Sequence, residues 1–137
     1  MFSKIMVPVD LAHAASLEKA IQIAADLGKL HNAEIFLVGV TDTAPGTVAH
    51  DPGEYQQRLE RFTADHASRH GCSMTPRAVI CNDPAAELDE ALEDYGKEIG
   101  VDLVVMASHL PGFMDHLFHS RAGHLATHSD ISVFIVR

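Results

Sequence analysis

Residues 101–137 read VDLVVMASHLPGFMDHLFHSRAGHLATHSDISVFIVR. An apolar run over Asp102–Ala107 reads as a strand buried on both faces. An irregular turn follows from Ala107 to Ser120, then a short helix over Ser120–His128. A second apolar run, Ile131–Val136, closes the chain as another strand. Two such strands joined through a helix make a parallel βαβ unit. Ligands of parallel sheets sit in the crevice beyond the carboxyl ends of the strands, so the turn after Ala107 is placed as a site.

Working back toward the N-terminus, the same alternation repeats. KIMVPV (Lys4–Val9) is a continuous apolar run. Pro8 lacks an N–H and predicts a ladder that loosens near the strand's end. Ala14–Leu30 carries Leu17, Ala20, Ile21, Ala24 and Leu27 at helical spacing, with a cap at or before Ser16 and Gly28 marking a frayed end. AEIFLVGV (Ala33–Val40) is a second buried strand. Thr41–Pro52 is turn-rich and either covers something or simply connects. Gly53–His70 is an amphipathic helix with Tyr55, Leu59, Phe62 and Ala67 inward, and Gly71 fits its C-cap. Met74–Cys81 is a third strand. Asp83 and Pro84 suit the N-cap and first turn of a helix that turns Ala85, Leu88, Leu92 and Tyr95 inward. The whole reads as one α/β domain over residues 1–137, a doubly wound five-stranded parallel sheet with helices on both faces.

Composition narrows the function. Ten basic against 19 acidic residues give a net charge of −9. Nucleic-acid binding needs a basic face, so neither that nor docking on anionic membrane is expected. The apolar opening is too short for a signal or a span. Cys72 and Cys81 are too few for a disulfide framework and read as reduced thiols of a cytoplasmic protein. A nucleotide hydrolase has little support: Ser108 and His109 are merely adjacent, and neither a GxSxG elbow nor GxxxxGK[ST] occurs.

VPVD (Val7–Asp10), DPAAEL (Asp83–Leu88), DLVVMAS (Asp102–Ser108) and ISVFIVR (Ile131–Arg137), in this order and spacing, resemble the universal stress proteins over the whole chain. The resemblance implies a flavodoxin-like strand order 3-2-1-4-5 and a homodimer paired through the last strand. It also implies, for one branch, ATP binding through a glycine pattern after the fourth strand. Those glycine positions fall here on Ala107, Leu110 and Ser120, and the following Ser/Thr position on Arg121. Leu110 and Pro111 crowd a loop whose backbone must approach phosphate closely. Asp10, which the family places beside the adenosine, is retained, as is Val40 at the backbone contact to the base. Pro8, Val9, Met106, Ala107 and Ser108 complete the candidate nucleotide set, and Arg121 offers a phosphate a charged fork instead of a glycine.

The leading expectation is a non-catalytic stress-response homodimer acting through protein contacts, with no cofactor. The alternative is a sensor that binds ATP or AMP at a phosphate site without glycines. Ile131, Val133, Phe134, Ile135 and Val136 make the expected interface, because an apolar edge strand is an association site unless protected.

Half of the ten histidines fall at or after His109. His124 and His128 share the i, i+4 spacing that metal sites use, and His66 and His70 repeat it. No HExxH motif accompanies them and no metal is expected, so His124 and His128 stand as weak candidates. Five imidazoles near a dimerising strand would also gain charge toward about pH 6.

Overall fold

The computed structural model describes residues 1–108 and 130–137. Lys4–Val9 forms β1, Glu34–Thr41 β2, Thr75–Ile80 β3, Leu103–Ala107 β4 and Ser132–Val136 β5. The order is β3-β2-β1-β4-β5, as the resemblance implies, with every pair parallel, as the alternation of strands and helices predicts. The predicted helix over Ser120–His128 lies outside the described residues.

From the central strand β1 the chain winds outward to β3, then returns to build β4 and β5 on the other side. Right-handed crossovers put Glu18–His31 (α1) and Pro52–His70 (α2) on one face and Pro84–Ile99 (α3) on the other. The packing agrees. A Cβ placed on Gly28 of α1 would meet the Ile35 side chain, whereas one on Gly96 of α3 would meet Met6. Ile35 shares a face with its register partner Ile5, and Met6, one residue on, lies on the opposite face. Ile5, Val7, Leu37 and Val105 are wholly buried in the sandwich, as continuous apolar runs require when helices cover both faces of a parallel sheet.

The β1 ladder runs to Val9 against β2 but is registered with β4 only at Ile5 and Met6. It loosens before Pro8, on one side. At the opposite end of the sheet, Asp102 fastens the central strands. Its Oδ2 accepts from the Ser3 N–H at 2.8 Å and its Oδ1 from the Lys4 N–H at 3.0 Å. Its own N–H donates to the Lys4 carbonyl, and its carbonyl accepts from the Ser132 N–H. One residue thus joins the starts of β1, β4 and β5.

The first helix differs from expectation. Leu11–Leu17 is a 3-10 segment kinked at His13, and the regular helix begins at Glu18. Asp10 causes this by capping the segment: its carboxylate accepts from the Ala12 N–H at 3.0 Å. Ser16 does not cap α1; its hydroxyl donates to the His13 carbonyl. Nor does Gly28 mark fraying. It is buried inside α1, where a Cβ would come within 2.6 Å of Ile35 Cδ1, so glycine lets the helix approach β2. The turn out of α1 falls to Asn32, in the left-handed region at φ 55°.

Asp51 opens α2 by accepting from the Glu54 N–H at 2.8 Å, while the Glu54 carboxylate accepts from the His50 N–H at 2.7 Å. Gly71 ends α2 at φ 62°, as expected. Tyr55 and Leu59 are buried, with Phe62 and Ala67 packed at the rim. Thr63 and His66, polar by type, are buried with them. Asp83 holds the N-cap position of α3 but makes no side-chain cap bond; its carbonyl accepts from Ala86 and Glu87 instead.

Candidate functional site

A cavity of about 290 Å³ opens beyond the carboxyl ends of β1 and β2. Its floor comes from the strands: Val9 and Asp10 leave β1, and Val38, Val40 and Thr41 leave β2. Leu88 and Leu92 of α3 give an apolar wall, and Tyr55 of α2 stands opposite. The segment between Thr41 and Pro52 is more than a connection, since Asp42, Ala44 and Thr47–Ala49 line the same space. That segment holds its shape through two local bonds. The Ala44 N–H donates to Asp42 Oδ1 at 2.9 Å, and the Gly46 N–H donates to the Ala49 carbonyl at 2.9 Å.

Asp10 is anchored before any ligand arrives. One carboxylate oxygen caps Ala12 and the other lies 2.8 Å from His13 Nδ1. A carboxylate has about four lone-pair sites, so two remain for hydroxyl donors. The Asp10 side chain is 29% exposed, which keeps that capacity open to the cavity. The Tyr55 ring lies so close to β2 that a Cβ on Gly39 would fall 2.2 Å from its hydroxyl. Burial pushes the Tyr55 phenol well above its ordinary value, and the negative charge of Asp10 adds to the shift. The cavity is thus part apolar cleft and part fixed hydrogen-bonding rim. Its described lining residues include the acids Asp10 and Asp42 and no lysine, arginine or histidine.

Of the residues expected from sequence, the structure brings Val9, Asp10 and Val40 to this cavity. Pro8 is buried in the sheet beside them. Met106, Ala107 and Ser108 are buried at the end of β4 and are not part of the cavity lining. The Ser108 N–H donates to the Val136 carbonyl, while its buried hydroxyl has no partner among the described residues. Leu110, Ser120, Arg121, His124 and His128 lie outside the described residues. Sequence reasoning missed Thr41, Asp42, Tyr55, Leu88 and Leu92 as cavity residues. The turn signals at Asp42, Pro45 and Gly46, directly after a buried strand, were the available clue.

Along β5, Phe134 is 44% exposed and Val136 is buried. The Ser132 N–H and the Val136 carbonyl both point to β4. By the two-residue period of a strand, the backbone groups of Val133 and Ile135 point away from the sheet. Among the described residues, no helix is long and apolar enough to cross a membrane.

Comparison with known proteins agrees with this architecture. Universal stress protein G of Shigella flexneri is 23% identical over 143 residues, with the whole of both chains covered. A universal stress protein solved in complex with cAMP superposes at a TM-score of 0.67, with 18% identity over 99% of this chain and 97% of the other. The Archaeoglobus fulgidus universal stress protein in complex with dAMP superposes at 0.65, with 16% identity over 99% of this chain and 98% of the other. At these identities the structural matches speak to the fold. The model of the universal stress protein family matches residues 1–137, and together with the strand order this places the chain as a member of the universal stress protein family.

Proposed function

We propose that this chain is a non-catalytic, cytoplasmic stress-response protein that takes an adenine nucleoside monophosphate in the crevice beyond β1 and β2. The observation that carries the reading is the cavity itself. It joins an apolar slot between Val40 and Leu88–Leu92, suited to a flat base, to a carboxylate at Asp10, suited to ribose hydroxyls. The cAMP and dAMP held by two structural neighbours support the same ligand class. The two acids on the rim disfavour phosphate charge inside the cavity, so the phosphate has to leave it. In the sequence, Leu110 replaces a glycine of the ATP-binding branch's pattern and Pro111 follows it. Both features favour one phosphate over three.

Nucleotide recovered from freshly purified, denatured protein by anion exchange is the test, followed by calorimetry with AMP, cAMP and Mg·ATP. AMP or cAMP is expected to bind more tightly than ATP. Asp10→Ala is expected to weaken binding about tenfold, the worth of one hydrogen bond to a charged group. A blank supernatant with no heat at millimolar nucleotide would sink the reading.

A second reading concerns assembly. The outward backbone groups of Val133 and Ile135, beside the exposed Phe134 ring, support a homodimer made by pairing β5 with its two-fold copy. The two readings are compatible, because the β5 edge and the crevice are separate surfaces.

A further inference from the structure

The face that α1 and α2 share carries a second cluster. Glu18 opens α1, while His66 and His70 sit one turn apart on the last two turns of α2. One ligand atom from each of the three lies within 4.8 Å of the others. His70 Nε2 is 3.6 Å from Glu18 Oε1 and His66 Nδ1 is 4.0 Å from Glu18 Oε2. Neither is a hydrogen bond. The two imidazoles are buried, with side chains 3% and 7% exposed. His70 Nε2 has no hydrogen-bond partner among the described residues, although it is fully buried. An orphaned buried nitrogen aimed at a carboxylate is costly and calls for an explanation.

We propose that Glu18, His66 and His70 form a binding site for a borderline divalent metal ion, of which Zn²⁺ is the reference case. Two imidazoles and one carboxylate are a common zinc donor set with a fourth position left for water. Bonds of about 2.0–2.1 Å put tetrahedral ligand atoms roughly 3.3–3.4 Å apart, so the two carboxylate–imidazole separations close by about 0.2–0.7 Å and the imidazole pair, within 4.8 Å, by up to about 1.4 Å. The imidazole rings are nearly parallel, at 9° with centroids 5.7 Å apart. Because their lone pairs lie in the ring planes, binding turns the rings toward a common point.

Arg69 is the competing cation. Its Nη1 donates to both Glu18 oxygens at 3.1 Å, its Nε donates to Asp65, and its Nη2 rests 3.1–3.3 Å from both His66 ring nitrogens. Its side chain is half-exposed, so water can take over its hydrogen bonds once Glu18 turns to a metal. The metal therefore displaces the guanidinium from the carboxylate instead of adding to it.

Calorimetric titration of the chelator-treated full chain with ZnCl₂ tests this, with Co²⁺ absorption as an independent readout of tetrahedral coordination. Expected is one equivalent bound with a micromolar or tighter Kd. Glu18→Gln, on an exposed side chain, and His70→Ala are each expected to weaken it roughly tenfold or more. Arg69→Ala is expected to tighten it several-fold, which loss of a merely structural ion pair would not do. His124→Ala and His128→Ala should leave this equivalent intact. The proposal is overturned by absence of the bound equivalent, by an affinity indifferent to Glu18→Gln and His70→Ala, or by loss of binding only on substitution of His124 or His128.

Discussion

Tyr55 shows how one side chain ties the crevice to the fold. Its ring is buried against Gly39, and its hydroxyl occupies space that a Cβ at that glycine would need. The folded state holds the phenol protonated above its ordinary value of 10.0. As pH rises through 10, the unfolded chain therefore releases this proton first. The stabilising effect is complete below about pH 10 and is lost above it, with a limiting slope of about 1.4 kcal/mol per pH unit. Difference absorbance titration of wild type against Tyr55→Phe checks this. The ionisation belonging to Tyr55 should appear only within the unfolding transition, and its appearance in the native baseline near pH 10 would contradict the buried placement.

Among the elements, β5 makes the sharpest prediction. Val133→Pro removes an N–H that faces away from β4, so the internal ladder through Ser132 and Val136 survives. The substitution is expected to convert the dimer proposed for this edge to monomer in sedimentation velocity while leaving the circular dichroism unchanged. An unchanged dimer would exclude pairing through this edge. The strands were the most legible elements, because apolar runs buried on both faces have few alternative readings; each observed strand lies within about two residues of its expected bounds. The start of α1 was not legible. Ala14 and Leu17 continue the apolar spacing of the helix proper, and the Asp10 carboxylate, reaching forward to accept from the Ala12 N–H, sets the tighter turn. Gly28 misled for a related reason, since a glycine near a helix end looks the same in sequence whether it frays or packs. In the crevice, Asp10 and Val40 were legible through their resemblance to a known pattern. Tyr55, Leu88 and Leu92 were not, because their place depends on how α2 and α3 lean over the sheet. His66 and His70 could be paired by spacing, but their meeting with Glu18, 48 positions before His66 in the sequence, exists only once α1 and α2 lie side by side.

For the molecule as a whole, Asp102 holds the two halves of the sheet together. Its carboxylate takes two backbone N–H groups from the start of β1, nearly a hundred residues earlier in the chain. Asp102→Ala leaves the Lys4 N–H, in a part-buried setting, without its acceptor. The expected cost is about 1–3 kcal/mol, read as a lower urea midpoint with an unchanged slope. A loss below about 0.5 kcal/mol would assign the sheet's closure to the apolar strands alone. Net charge of −9 acts at this scale too: the chain is expected not to retard duplex DNA at low salt, and salt-sensitive retardation would require a basic face that the composition does not supply.

The strand order also sets a sequence in time. β1 leaves a ribosome ahead of the other four strands and occupies the middle of the finished sheet. Its partner β2 follows within a few tens of residues, whereas β4 begins only at Leu103. During synthesis, the half built from β1, β2 and β3 is complete while one edge of β1 stands open, apolar and unpaired. That interval is when a nascent chain is most prone to pair with a neighbour. It ends when the Asp102 carboxylate reaches Ser3 and Lys4, so this contact, long in sequence and late in formation, marks the passage from a half-sheet that seeks partners to one that has its own.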